Sequence, residues 1–509
     1  MPDKILVTNC AALEKKYGKD GLQAVLGAVK ILITADQERG LRSQLIDISD
    51  SAAMKKFKAN AVTSARSERQ CKDAVDAIYA AARPDYLVLL DGPDVIPHLI
   101  LDNPAAGDGD ENVPSDLPYA SDAPFTKRDA AAYAAVTRVV GRITGITGSP
   151  TPKFLVKQLN AAARFKTLKR ADYLAHFALS AEVWTKSTSE SVNNIFGTPA
   201  VKTCPPTVSP GVAKALEPLS HFINCHGATA DPKFYGQHGS QYPVAMTSDD
   251  VAKGASRNAL VAAECCYGAQ IFDPAMAAGK LPISTAYLDN GAVGFFGSTT
   301  IAYGPAEGNG AADLMTQYFL IDALAGASLG RSCMQARQKF VLGQKMEDPV
   351  NLKTLAQFIL LADPSLQPCP IEGHDAGVAK AIDQGAARTT RRIFLVAAGK
   401  SAADSSGFPG KKVIRPPHGL HQAVQKLARQ QGFRARAGDL AAFHVVGGDD
   451  YGAEMKARGV EQKVLILVEH TKMRGRAAQK MPKGVRQTDV FVAHAHDNRV
   501  VEVAAYVRR

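Results

Sequence analysis

The sequence predicts an α/β protein built on parallel sheet in two tandem units, followed by a small α+β module. Three observations lead there. Short apolar runs alternate with segments of helical period, the βαβ rhythm of a parallel sheet flanked by helices. At 509 residues the chain exceeds what one core can organise, and two to four domains are expected. Its composition, 46% hydrophobic and 21% charged, supports packed cores and excludes wholesale disorder.

In the first unit, residues 1–150, Lys4 to Thr8, Lys30 to Thr34 and Tyr86 to Leu90 are apolar runs of strand length. Asp73 to Ala82 carries helical periodicity between the last two. The cluster Asp91 to Pro97 is a turn at a strand's carboxyl end, and 103–126, rich in Gly, Pro, Asp and Ala, reads as a long surface loop. Within it Gly107-Asp108-Gly109-Asp110-Glu111-Asn112 is dense in oxygen atoms. It lacks the spacing of a calcium-binding helix–loop–helix, so a solvated loop is expected. Val136 to Gly141 closes the unit as a strand.

The second unit, 151–370, opens with an amphipathic helix over Pro152 to Leu168. Tyr173 to Ser180, Leu219 to Cys225, Ala259 to Ala263 and Gly291 to Phe296 read as strands, with 185–195 as a loop. Helices are expected over Ala311 to Ala325 and Leu329 to Leu342, then a final strand, Phe358 to Leu361. A Gly/Ala/Arg-rich linker, 371–390, leads to the third unit, 391–509. There the pattern predicts strand Arg392 to Ala398, a Ser/Gly/Pro loop at 401–410 and helix Leu420 to Gln431 ending on Gly432. Strand Lys463 to Val468, a basic loop at 472–486, and a hairpin of Asp489 to Ala495 with Arg499 to Val507 about Asp497-Asn498 complete it.

Net charge is +11, and it is uneven. Residues 375–509 hold 24 Lys+Arg against 12 Asp+Glu, while the other 374 residues are nearly balanced at 36 against 37. All the excess sits in the third unit, where an anionic partner is one expectation and a solvated basic surface the other. No apolar run reaches the length needed to span a bilayer. Eight scattered cysteines with one vicinal pair make no disulfide framework, so reduced thiols and a cytoplasmic setting are expected. No metal or cofactor is expected either. Cys204 and Cys225 lack zinc-type spacing, His494-Ala495-His496 reads as strand surface, and Gly447-Gly448-Asp449-Asp450 is only a turn.

Chemistry concentrates in two strings about forty residues apart, Phe222-Ile223-Asn224-Cys225-His226-Gly227 and Ala262-Ala263-Glu264-Cys265-Cys266-Tyr267-Gly268. Each begins as a buried strand and stops on a reactive residue near a glycine. Strand ends hold side chains on one rim of a sheet, and glycine admits a close backbone approach. A thiolate, not a thiol, attacks a carbonyl, and an adjacent imidazole supplies it and later protonates the leaving group. The amides of Gly227 and Cys265 are candidates for the oxyanion. His226, at a strand end, is a better base than His238, which follows a loop. Cys265 and Cys266 point to opposite faces, so only one can meet the histidine.

These strings resemble the gingipain-like cysteine peptidases, whose clan also holds caspases, legumains, separases and metacaspases. The shared pattern is strand, His-Gly, spacer, strand, then a cysteine followed by two residues and glycine. Putting that glycine at Gly268 selects Cys265 as nucleophile. The likeness extends over about 80–366, through Asp85 to Pro97, Ser115-Asp116-Leu117-Pro118-Tyr119, Val140-Gly141-Arg142, Ser298-Thr299-Thr300 and Ala362-Asp363-Pro364-Ser365-Leu366.

The resemblance implies a caspase-like fold, no cofactor and hydrolysis of peptide bonds in protein substrates. It adds Glu182, in Ser180-Ala181-Glu182, as the carboxylate orienting the histidine. It points to Glu190 and Tyr303 for the substrate pocket, although the loop at 185–195 has no clean match to an arginine-selecting aspartate. A restrained intracellular enzyme with few substrates is expected, held by the 185–195 loop or by the C-terminal module, with self-cleavage at Arg474-Gly475-Arg476. The rival expectations are a silent caspase-fold scaffold that recruits a partner, or another thiol hydrolase or acyltransferase.

Overall fold

The computed structural model describes residues 1–105, 107–125, 128–305, 308–372, 410–413, 416–434, 440–444, 462–470, 488–496 and 499–508. Outside the described residues lie the expected strand Arg392 to Ala398, the loops 401–409 and 472–486, and nearly all of the linker 371–390. The turns at 447–450 and Asp497-Asn498 lie outside them too.

Ten strands form one large sheet. Their spatial order is Ser43–Asp47, Lys4–Thr8, Tyr86–Leu90, Val140–Ile143, Phe358–Leu361, Gly294–Ser298, Leu260–Ala263, Ser220–Asn224, His176–Ala181, Lys202–Cys204. Neighbours run parallel except where Phe358–Leu361 meets Gly294–Ser298, so two parallel halves run in opposite directions. This is the mostly parallel α/β architecture expected. Strands such as Tyr86–Leu90 and Phe358–Leu361 are buried along their whole length, which is why they read as unbroken apolar runs instead of alternating ones.

Three elements differ from expectation. The stretch 103–126 is not all surface loop, since Asn112–Ser115 is a strand paired with Leu99–Asp102 and Leu117 and Tyr119 are fully buried. Lys30 to Thr34 is not a strand; it lies inside a helix, Cys10–Glu38, and the strand that joins the sheet is Ser43–Asp47. The β-branched run there suggests a strand, but the buried residues Val25, Ala28, Val29 and Leu32 recur at helical spacing. Asn9 starts the helix by accepting from the Ala12 N–H at 2.9 Å, a cap worth about 1 kcal/mol. The expected loop at 185–195 is likewise a helix, Thr185–Phe196. Its buried face is Ser187, Thr188, Ser191 and Val192, mostly hydroxyls that leave no apolar stripe, and it ends on Gly197 at φ +74°.

The C-terminal module is a two-layer unit. Strands Gly410–Val413, Leu440–His444, Gln462–His470, Thr488–His496 and Arg499–Arg508 form an antiparallel sheet, with helix His418–Gln430 on one face. Side chains alternate across a strand, so the opposite face presents Val464, Ile466, Val490 and Val492. That face packs on the second unit. The sheet's sixth strand, Tyr303–Pro305, belongs to that unit and pairs antiparallel with Arg499–Arg508.

Docking also buries Asp348, which caps helix Pro349–Gln357 by accepting from Val350 N–H at 2.8 Å. Tyr506 donates its hydroxyl to the other carboxylate oxygen at 2.6 Å. Burial nevertheless pushes the Asp348 carboxyl up to about 6, and nearby Glu502 adds to the rise. A carboxyl raised in the fold stabilises it while protonated. That stability is fully present below the ordinary value near 4 and is lost as pH rises through about 6. Thermal melts from pH 4 to 7 are expected to show this loss, on the order of 2–3 kcal/mol. Asp348→Asn keeps a capping side chain and is expected to flatten that limb.

Candidate active site

The two strings end neighbouring parallel strands of the large sheet, at carboxyl ends, where open α/β sheets bind ligands. Ser220 pairs with Leu260 and Ile223 with Ala263. Continued past the strand ends, that register sets Cys266 level with His226, and Cys265 level with Cys225. The contacts agree. Cys265 is fully buried in the apolar cluster of Leu179, Ile223, Cys225 and Phe295 beneath the rim. Its sulfur accepts from the Cys225 N–H at 3.4 Å and lies 3.7 Å from the Ile223 carbonyl oxygen.

Cys266 turns the other way, toward Ile301, Tyr303 and Tyr506. Its sulfur accepts from the Ala302 N–H at 3.3 Å. Gly227 lies so close to it that a Cβ there would overlap the Cys266 carbonyl, so only glycine fits. Burial raises both thiols, Cys265 the more strongly; for Cys266 the guanidinium of Arg508 opposes the rise. The expected nucleophile, Cys265, thus packs into the apolar cluster, while Cys266 is the cysteine whose backbone lies against Gly227, next to His226.

His226 sits in a short antiparallel sheet of His226–Gly227, Lys233–Tyr235 and Val244–Thr247. Its ring is held between Trp184, 4.3 Å away by centroids, and Tyr242 at 5.2 Å. Nε2 lies 2.7 Å from Gln237 Oε1, while the Gln237 amide nitrogen donates to the Gly239 carbonyl at 3.1 Å. That second bond fixes the amide's orientation, so Nε2 carries the hydrogen and donates, leaving the lone pair on Nδ1.

Glu182 follows strand His176–Ala181, beside the histidine strand, but its carboxylate accepts from His238 Nδ1 at 2.6 Å in an exposed pair. The side chain bonded to His226 Nε2 is thus Gln237, and Glu182 is bonded to His238. Glu190 stands on the exposed side of helix Thr185–Phe196. Tyr303 is fully buried beside Cys266.

In the acidic stretch 107–112, Gly107, Gly109 and Glu111 are exposed, as expected of a solvated loop, but Lys353, fully buried, reaches between Asp108 and Asp110. Asp110 also accepts from Tyr267 Oη at 2.6 Å and from the Ile301 N–H at 2.8 Å, and Asp108 accepts from Tyr303 Oη at 3.1 Å. The loop thus holds the segments on both sides of Cys266. Among the described residues, no group of His, Cys, Asp and Glu is arranged to hold a metal ion, and no helix is long and apolar enough to cross a membrane. All eight cysteines are free thiols.

Compared with known families, residues 22–369 match the model of Peptidase family C25, the gingipain family. The chain belongs to peptidase family C25. It is therefore a cysteine peptidase, and proteins are its substrates. The C25 match spans both strings and stops before the C-terminal module. Among solved structures, one described as "Structure of Protease" aligns over 100% of this chain and 98% of its own, at 12% identity and a TM-score of 0.44. A search of curated proteins finds no match.

Proposed function

We propose that this C25 enzyme is an endopeptidase working through a Cys266–His226 dyad. The observation that supports the reading is the close approach of Gly227, next to His226, to the Cys266 backbone, just past two strands paired from Ser220–Leu260 to Ile223–Ala263. His226 Nδ1 takes the Cys266 proton, and the thiolate attacks the substrate carbonyl. The amides of Gly227 and Cys266 receive the oxyanion, in place of the Cys265 amide expected earlier. His226 then protonates the departing amine, and water hydrolyses the thioester. Gln237, with Trp184 and Tyr242, keeps the imidazole in the tautomer this needs.

Tyr303 walls the pocket beside the thiol, whereas Glu190, out in solvent, takes no part. The eight free thiols support work in a reducing compartment such as the cytoplasm, on a few protein substrates. The excess charge past residue 374 supports an anionic partner for the C-terminal module. A thiol-directed acyloxymethyl-ketone probe and a positional-scanning fluorogenic peptide library test the enzyme reading. Probe adducts mapping to Cys266, together with peptide cleavage, are expected. Adducts on Cys265 alone would overturn the dyad.

A further inference from the structure

Strand Arg499–Arg508 ends in the cleft that the proposed dyad needs. It pairs antiparallel with Tyr303–Pro305, setting Arg508 opposite Tyr303, Val507 opposite Gly304 and Tyr506 opposite Pro305. An extended peptide binding beside Cys266 would need that same edge, because an open strand edge is where main-chain hydrogen bonds are offered. Arg508 is 4% exposed. Its Nη2 donates to the Gly227 carbonyl at 3.3 Å, and its guanidinium also reaches the Cys266 sulfur. From the other side, Val464, Ile466, Val490 and Val492 close over Cys266 and Tyr303.

We propose that the chain's own C-terminal strand is an autoinhibitory plug, with Arg508 occupying the place where a substrate carbonyl would meet Cys266. This rests on the Cys266–His226 reading and deepens it. An arginine beside a thiol could instead activate it by holding the thiolate. Two facts argue for the plug. The guanidinium lies against both the sulfur and the glycine next to the base, so it fills the reacting volume. It also arrives on a strand that uses up the edge a substrate would pair with. Tyr506, bonded to Asp348, and the Lys345–Glu502 ion pair fasten the strand to the second unit. The enzyme is held closed until this strand leaves the edge.

The experiment uses the full chain with two substitutions made separately. Arg508→Ala removes the plug. Val507→Pro keeps the arginine but removes a main-chain donor from the strand. Thermal melts confirm that each variant is folded. Iodoacetamide labelling of Cys266, mapped by peptide mass, reads access to the thiol, and fluorogenic peptide hydrolysis reads catalysis. Both variants are expected to label at least about tenfold faster than the unaltered chain, with hydrolysis rising in parallel, as when a closed state is depopulated. Unchanged labelling in both folded variants would overturn the plug. So would a fall in hydrolysis without faster labelling in Arg508→Ala, which would make the arginine an activator. Faster labelling without hydrolysis would uphold the plug and sink the peptidase dyad instead.

Discussion

Cys266→Ala is expected to abolish peptide hydrolysis, by about 10⁴-fold or more, in whichever background is active, the unaltered chain or Arg508→Ala. Cys265→Ala is expected to leave turnover within about threefold and to cost roughly 1–2 kcal/mol of stability. The contrast follows from where the two sulfurs lie. Cys265 fills apolar space beneath the rim and accepts from one backbone amide, so its loss opens a small void. Cys266 lies in the cleft against Gly227, and removing its sulfur removes the atom that would form the covalent intermediate. Steady-state kinetics and thermal melts on both variants check this. The reverse pattern, with turnover lost in Cys265→Ala and kept in Cys266→Ala, would restore the assignment that glycine spacing suggests.

That contrast also shows how much of the site can be read without coordinates. The cysteine string is legible because its fully buried parallel strand, Leu260–Ala263, leaves an unbroken apolar run. The histidine string's strand, Ser220–Asn224, is as fully buried but carries Ser220, His221 and Asn224, and is marked mainly by Phe222-Ile223 and the His-Gly that follows. The choice between vicinal cysteines is not legible from spacing to a glycine. It depends on register between two strands, which appears only once Ser220 is seen opposite Leu260. Gln237 escaped for a similar reason: it reaches His226 from the loop after an antiparallel strand, next to a histidine that looked like a rival base. Helix Thr185–Phe196 escaped because serine and threonine bury its inner face, and with it went the expected place for Glu190.

The fold repeats the lesson at larger scale. The strand period announces that Tyr303 follows a core strand, but not that Tyr303–Pro305 is the edge on which a distant C-terminal strand adds itself. Nor does a Gly/Asp-rich stretch announce that Lys353 neutralises it from a helix more than two hundred residues later. Long-range charge pairing of this kind is strongly specified once formed. Breaking one partner of a buried pair costs about 3–5 kcal/mol. The clamp of Asp108, Asp110 and Lys353 therefore serves as a rigid frame for Tyr267 and Tyr303, on both sides of Cys266.

His226→Ala is expected to lower kcat/KM by about 10²–10⁴-fold, and the double variant with Cys266→Ala to fall no further than the cysteine change alone. Residues acting as one unit are not additive, so additivity measured across this pair would separate them and overturn the dyad. Gln237 extends the test to the proton itself. In the protein as it stands, a neutral amide oxygen accepts the Nε2–H, which orients the ring without adding charge. Gln237→Glu puts a carboxylate at the same distance and favours the imidazolium, raising the histidine's pKa. Because the free base is the working form, the acid limb of the kcat/KM profile is expected to shift to higher pH. Gln237→Ala is expected to lower kcat with little change in that limb, since it loosens the ring without altering charge. A Gln237→Glu profile identical to that of the unaltered protein would show that Gln237 does not position His226 in the working enzyme.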